Sequence, residues 1–210
     1  MSAHCCGHGH DHGAASPAYR RILWIALLVN FAMFAVEIGA GLAARSASLL
    51  ADSLDFLGDA ANYGLALFVL GMALQWRARA ALVKAASMGL FGLWVGATTI
   101  QHALAGTVPE APVMGAVGAL ALVANLGVAV LLYRWRDGDS NMRSVWICTR
   151  NDAIGNLAVL AAAVGVFGSG TGWPDYIVAS IMSALALVGA LQVTRQALGE
   201  LARTRTAPAE

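Results

Sequence analysis

The chain has 210 residues, of which 59% are hydrophobic and 12% charged, with a net charge of +1. Mean hydropathy is +0.67. Water-soluble domains carry about 25% charged residues, so this composition excludes an ordinary soluble globule. The near-neutral balance, without a basic patch, excludes a nucleic-acid partner. Six apolar runs follow in chain order, at about 22–43, 49–74, 85–105, 113–133, 145–167 and 176–193. Each approaches the ~20 residues needed to cross ~30 Å of hydrocarbon. The connections carry breakers, with Pro109 and Pro112 in one and Gly168, Gly170, Gly172 and Pro174 in another. The expected fold is all-α and integral to the membrane, with six transmembrane helices.

Of the 13 Lys and Arg residues, 11 fall on one side of these spans; Arg45 lies on the other, and Arg150 is within the fifth. The bias of basic residues toward cytoplasmic loops places both termini in the cytoplasm; the expected location is the cell (inner) membrane. Trp76, Trp135 and Trp173 stand near span ends, as interface anchors do. The N-terminus is polar, the first apolar run is too long for a cleavable leader, and three cysteines make no disulfide framework. The expected organisation is a cytoplasmic tail at 1–21, a transport domain at 22–198 and a short cytoplasmic tail at 199–210.

The informative residues are charges where hydrocarbon is expected. An acid at mid-membrane costs roughly 2.5–3.5 kcal/mol on insertion scales. The second run nevertheless carries Asp52, Asp55 and Asp59. Spacings of three and four share a helix face, so the three carboxylates form one stripe. Like charges so placed repel unless protons or a cation neutralise them. The fifth run carries Cys148 and Asp152, again four apart. If the two faces meet, Asp55, Asp59, Cys148 and Asp152 supply three carboxylates and a thiolate, a set that suits tetrahedral zinc. The sulfur disfavours magnesium, calcium and manganese. Asp52, Glu37, Asn30 and Asn156 are further polar groups at membrane depth, candidates for an accessory metal site or a proton pathway. Asn62 is another.

Each feature also has a bland explanation. A lone Cys148 can be a small buried hydrophobe, Asp52 a local cap, and Glu37 a packing residue. Arg150 could pair with Asp152, but residues two apart on a helix do not share a face. The N-terminal segment holds His4, Cys5, Cys6, His8, His10 and His12. Such His/Cys tracts capture soft and borderline metals, and the glycines among them favour a disordered tail.

The sequence Ser-Leu-Leu-Ala-Asp-Ser-Leu-Asp-Phe-Leu-Gly-Asp, with Asp55 and Asp59, and Cys-Thr-Arg-Asn-Asp-Ala-Ile-Gly-Asn, with Cys148 and Asp152, resemble the paired ligands of the cation diffusion facilitator family of metal/proton antiporters. The resemblance covers all six spans. It implies efflux of a divalent cation, most readily Zn2+, from the cytoplasm in exchange for protons, by a homodimer alternating between two access states. Two departures stand out. Cys148 occupies a position where zinc members have histidine, which admits cadmium, cobalt or mercury. The sequence also ends a dozen residues beyond the transport domain, at Glu210, so the family's C-terminal cytoplasmic domain is expected to be absent. Gly92 and Gly96 in the third run have the GxxxG spacing of close helix contacts and are a candidate dimer face, with packing inside one chain as the rival. Two rivals to transport by exchange arise. Asp59 and Asp152 could be an intramembrane aspartyl protease dyad, but the remaining acids, the thiol and the metal-rich tail would then be idle. A passive metal channel or a membrane metal sensor is the second rival, and the residues do not separate antiport from channel. A secondary transporter, and not an enzyme, is expected.

Overall fold

The computed structural model describes residues 17–68, 74–135 and 140–206. The N-terminal His/Cys tract, with His4, Cys5, Cys6, His8, His10 and His12, lies outside them. Six α-helices carry the described chain: α1 (Pro17–Ala44), α2 (Ala47–Phe68), α3 (Leu74–Ala105), α4 (Ala111–Leu132), α5 (Ser140–Ser169) and α6 (Trp173–Thr206). A single 3-10 turn, Tyr133–Trp135, follows α4. No strand occurs among the described residues. Hydrocarbon offers backbone amides no partner, so a lone segment satisfies them internally by becoming a helix.

Among the described residues, five stretches are long and apolar enough to cross a membrane: Pro17–Ala44, Ala81–Ala105, Ala111–Leu132, Asp152–Ser169 and Trp173–Gly199. α2 has the length of α4, 22 residues, or roughly 33 Å at 1.5 Å per residue. Its three aspartates lower its hydropathy, and it packs against α1, α3, α5 and α6. The helices extend past the apolar runs. α3 begins at Leu74, where its run begins near 85, and α6 continues to Thr206. Gln, Ala, Arg, Leu and Lys are good helix formers, so these helices outlast the hydrocarbon.

Polarity is inverted relative to a soluble protein. Leu104, Phe167 and Val130 are 85%, 79% and 74% exposed, whereas Asn30, Glu37, Asp52, Asp59, Asn125, Asn156 and Asp175 are buried. An apolar exterior around a polar interior fits lipid as the solvent. Together the fold and its apolar helices define a multi-pass membrane protein. Trp76 and Trp173 are exposed, as interface anchors would be.

Helices α3 and α6 pack along one another, as do α1 with α2 and α4 with α5. Gly92 and Gly96 are consumed by the first of these seams. A methyl at Gly92 would meet Leu187 at 3.3 Å, and one at Gly96 would meet Ser183 Oγ at 3.1 Å. Ser183 Oγ also donates to the Gly92 carbonyl at 2.8 Å. The GxxxG spacing therefore serves contact within one chain, the rival reading of these glycines.

The connections 45–46, 106–110 and 170–172 gather at one end. α1 stops where Arg45 turns left-handed (φ 55°) and Ser46 N–H donates back to Gly41 O at 3.0 Å. This is a Schellman stop with an arginine in the place glycine usually takes. Gly41 is required there, since a Cβ would lie 2.9 Å from Leu50 Cδ2. Glu110 N–H reaches Ala44 O at 3.0 Å, tying the start of α4 to the end of α1. Tyr176 Oη donates to the carbonyls of His102 and Thr107, fixing the start of α6 to the end of α3.

Candidate metal centre

Ser48, Asp52, Asp55 and Asp59 are spaced four, three and four apart and share one face of α2. That face points inward. Asp52 is 1% and Asp59 6% exposed, and Asp55 is partly exposed. Across from it runs α5. A methyl added at Gly155, one turn after Asp152, would lie 3.9 Å from both Asp52 Oδ1 and Asp55 Oδ2. Glycine thus lets the α5 backbone approach the acid stripe closely. The Asp152 carboxyl lies within hydrogen-bonding reach of Asp59, and the charges of Asp55 and Asp52 also act on it. Its Oδ2 is buried with no hydrogen-bond partner.

The structure therefore brings together Asp52, Asp55, Asp59 and Asp152. Cys148 stands one turn before Asp152 on the α5 backbone, and its side chain lies outside the described residues, as does that of Arg150. Among the described residues, no group of three His, Cys, Asp or Glu side chains stands in a metal-holding arrangement.

Polar partners hold the stripe in place. Asn156 Nδ2 donates to Asp52 Oδ2 at 2.7 Å. Asn156 Oδ1 in turn accepts from Asn125 Nδ2 at 2.9 Å, so a file of side chains links α4, α5 and α2. Tyr63 Oη donates to Asp59 Oδ2 at 3.2 Å. Glu37 from α1 is fully buried, and neither carboxyl oxygen has a donor. The carboxyl it faces is that of Asp52. Two carboxylates cannot bond to one another, and a proton held by either one would supply the missing donor. Leaving such a group buried and unpaired would otherwise be costly. Asn30 turns to its own helix, its Nδ2 donating to Ala26 O at 2.8 Å. Asn62 is partly buried one turn beyond Asp59.

Sequence reasoning missed Asn125, Tyr63, Gly155 and Asp175. Gly155 carried a usable signal, a glycine inside a helix one turn from a membrane acid. Tyr63 follows Asp59 by four residues, the spacing of side-chain pairs on one face. Nothing local marks Asn125, because its partner lies 31 residues away.

An all-helical bundle with an apolar exterior and several buried carboxylates defines a polytopic membrane protein with a charged interior. Residues 23–202 match the cation efflux transmembrane domain, and the chain belongs to that family. It is 23% identical over 208 residues to the "Cadmium, cobalt and zinc/H(+)-K(+) antiporter" of Bacillus subtilis (strain 168), covering 91% of this chain and 65% of that protein. It is likewise 23% identical over 188 residues to the "Metal cation efflux system protein CzcD" of Cupriavidus metallidurans, covering 84% of this chain and 58% of that protein. The chain thus spans less than two thirds of the length of these curated relatives.

Proposed function

We propose that the protein moves a divalent transition-metal ion, zinc foremost, out of the cytoplasm in exchange for protons. The observation that carries this reading is the meeting of the Asp52–Asp55–Asp59 stripe with Asp152 inside an apolar-faced bundle. Asp55, Asp59, Cys148 and Asp152 are the proposed ligands, and α2 is the sixth membrane crossing. The relatives named as cadmium, cobalt and zinc transporters support the metal class and keep Cd2+ and Co2+ as alternative substrates.

The exchange follows from charge. Carboxylate and thiolate ligands bind a metal only when deprotonated, so binding releases protons and protonation expels the metal. Metal and protons compete for the same oxygens, and either one lowers the cost of buried negative charge. Such competition drives transport only if the two loaded forms prefer different access states. Glu37 and Asp52, with Asn156 behind them, serve as a neighbouring proton reserve. The working unit is proposed to be a homodimer, with both termini cytoplasmic and the His/Cys tail gathering metal.

Purified protein in proteoliposomes, given a panel of divalent cations and an internal pH dye, tests the proposal. Metal flux matched by opposite proton movement is expected. Metal flux without proton movement would instead indicate a channel.

A further inference from the structure

Asp175, in the first turn of α6, is fully buried and belongs to no part of the proposed metal site. Its carboxylate accepts four hydrogen bonds from the start of α2. Ser46 Oγ and Ser48 Oγ each donate to Oδ1 at 2.7 Å, Ala47 N–H to Oδ2 at 2.8 Å, and Ser48 N–H to Oδ1 at 3.0 Å. The next two amides are met locally, Leu49 N–H by Ser46 Oγ and Leu50 N–H by Ser46 O. The first four amides of a helix have no partner within it, and their dipole favours an anion. Here a different helix supplies the anion, so the bond joins two elements as well as capping one.

The position of this bond matters more than its strength. Ser48 is on the same face of α2 as Asp52, Asp55 and Asp59, and is the member nearest the connections. The Asp175–Ser48 contact therefore lies across the end of the acid stripe. α6 is packed along α3, and Tyr176, next to Asp175, ties it to the end of α3. Toward the other end, α2 and α3 separate around an apolar cavity of about 350 Å³, lined by Leu57, Gly58, Ala61, Leu65, Val83 and Met88. The seam beside α2 is thus hydrogen-bonded at one end and borders an apolar cavity toward the other.

We propose that Asp175 is the clasp closing the connection end of the α2–α6 seam, and that it opens once per transport cycle to give the acid stripe access to that side. This rests on the alternating-access reading above. A carboxylate moving out of the clasp exchanges four protein donors for water, so opening is tied to hydration of the seam.

Two experiments on the full chain test it, both with Cys5 and Cys6 replaced by serine and Cys148 by histidine, so that no other thiol reacts. In the first, Ser48→Cys and Asp175→Cys are combined, bridged by a short bifunctional methanethiosulfonate, and assayed for Zn2+ flux in proteoliposomes. Flux should fall to background when bridged and return with dithiothreitol, while each single variant stays insensitive to the reagent. Undiminished flux through a protein shown to be bridged would overturn the clasp. The second experiment needs no transport. Ser53→Cys, about one and a half turns deeper in α2, reports water access through its labelling by an impermeant maleimide. Adding Asp175→Asn removes the charge but keeps the shape. It should speed labelling about tenfold, as expected for weakened charge-assisted bonds, and Asp175→Glu should slow it again. Equal labelling rates with and without Asp175→Asn would also overturn the proposal. If the unmodified chain moves no metal while Asp175→Asn still speeds labelling, the transport reading fails and the clasp stands.

Discussion

Asn156 Nδ2 donates to Asp52 Oδ2 at 2.7 Å, joining α5 to α2 at the level of the acid stripe. The same amide accepts from Asn125, so it is held from both sides and offers Asp52 a donor in a fixed direction. Asn156→Ala leaves Asp52 and Asn125 buried without that partner. An unsatisfied buried group costs about 1–3 kcal/mol, which corresponds to a fall in melting temperature of roughly 2–4 °C per kcal/mol for a chain of this size. Thermal unfolding in detergent, alongside zinc flux, checks both effects. An unchanged melting temperature would show that the bond holds nothing in place.

Glu37→Gln separates proton handling from metal binding. The glutamine amide can donate to Asp52 without any added proton. Zinc affinity should stay within about tenfold of the parent, since Glu37 is not a proposed ligand. The number of protons released per zinc bound should fall, and flux should depend less steeply on pH. Calorimetric titration in buffers of different ionisation heat gives that number. An unchanged proton count would remove Glu37 from the pathway.

Cys148→His tests the sulfur's part in selectivity. Imidazole and thiolate both suit zinc, but thiolate is the softer ligand. Zinc flux should persist, while cadmium should lose ground relative to zinc. A cadmium-to-zinc flux ratio equal to that of the parent would mean that the thiol does not touch the cation.

Gly92→Leu addresses the α3–α6 seam. A methyl at this position already meets Leu187 at 3.3 Å, so a larger side chain must force the helices apart. Overpacking of this kind costs typically about 1–3 kcal/mol. The melting temperature should fall with the oligomeric state unchanged. Loss of a dimer with stability retained would return this face to an interface between copies.

Much of this arrangement was readable along the chain. Spacings of three and four alone put Asp52, Asp55 and Asp59 on one face. The cost of acids in lipid then required that face to point inward, where Asp52 and Asp59 are in fact buried. The partners across helices were not readable. Asp175 looks like an ordinary acid in the first turn of a helix, yet its bonds go to residues 127 to 129 positions away. Gly92 and Gly96 advertised a close contact through their spacing but did not name what would fill it, and α6 of the same chain does. The facing of Glu37 and Asp52 was hidden for the same reason, since packing and not periodicity selects which polar groups meet.

The decisive comparison is proteoliposome zinc flux, recorded with a pH dye, for the parent, Asp59→Asn and Asp152→Asn. Removing either carboxylate should reduce flux by at least about 100-fold, beyond the loss typical of a group one shell further out, with normal folding by size-exclusion chromatography. Parental flux in either variant would mean that the cation does not pass between α2 and α5.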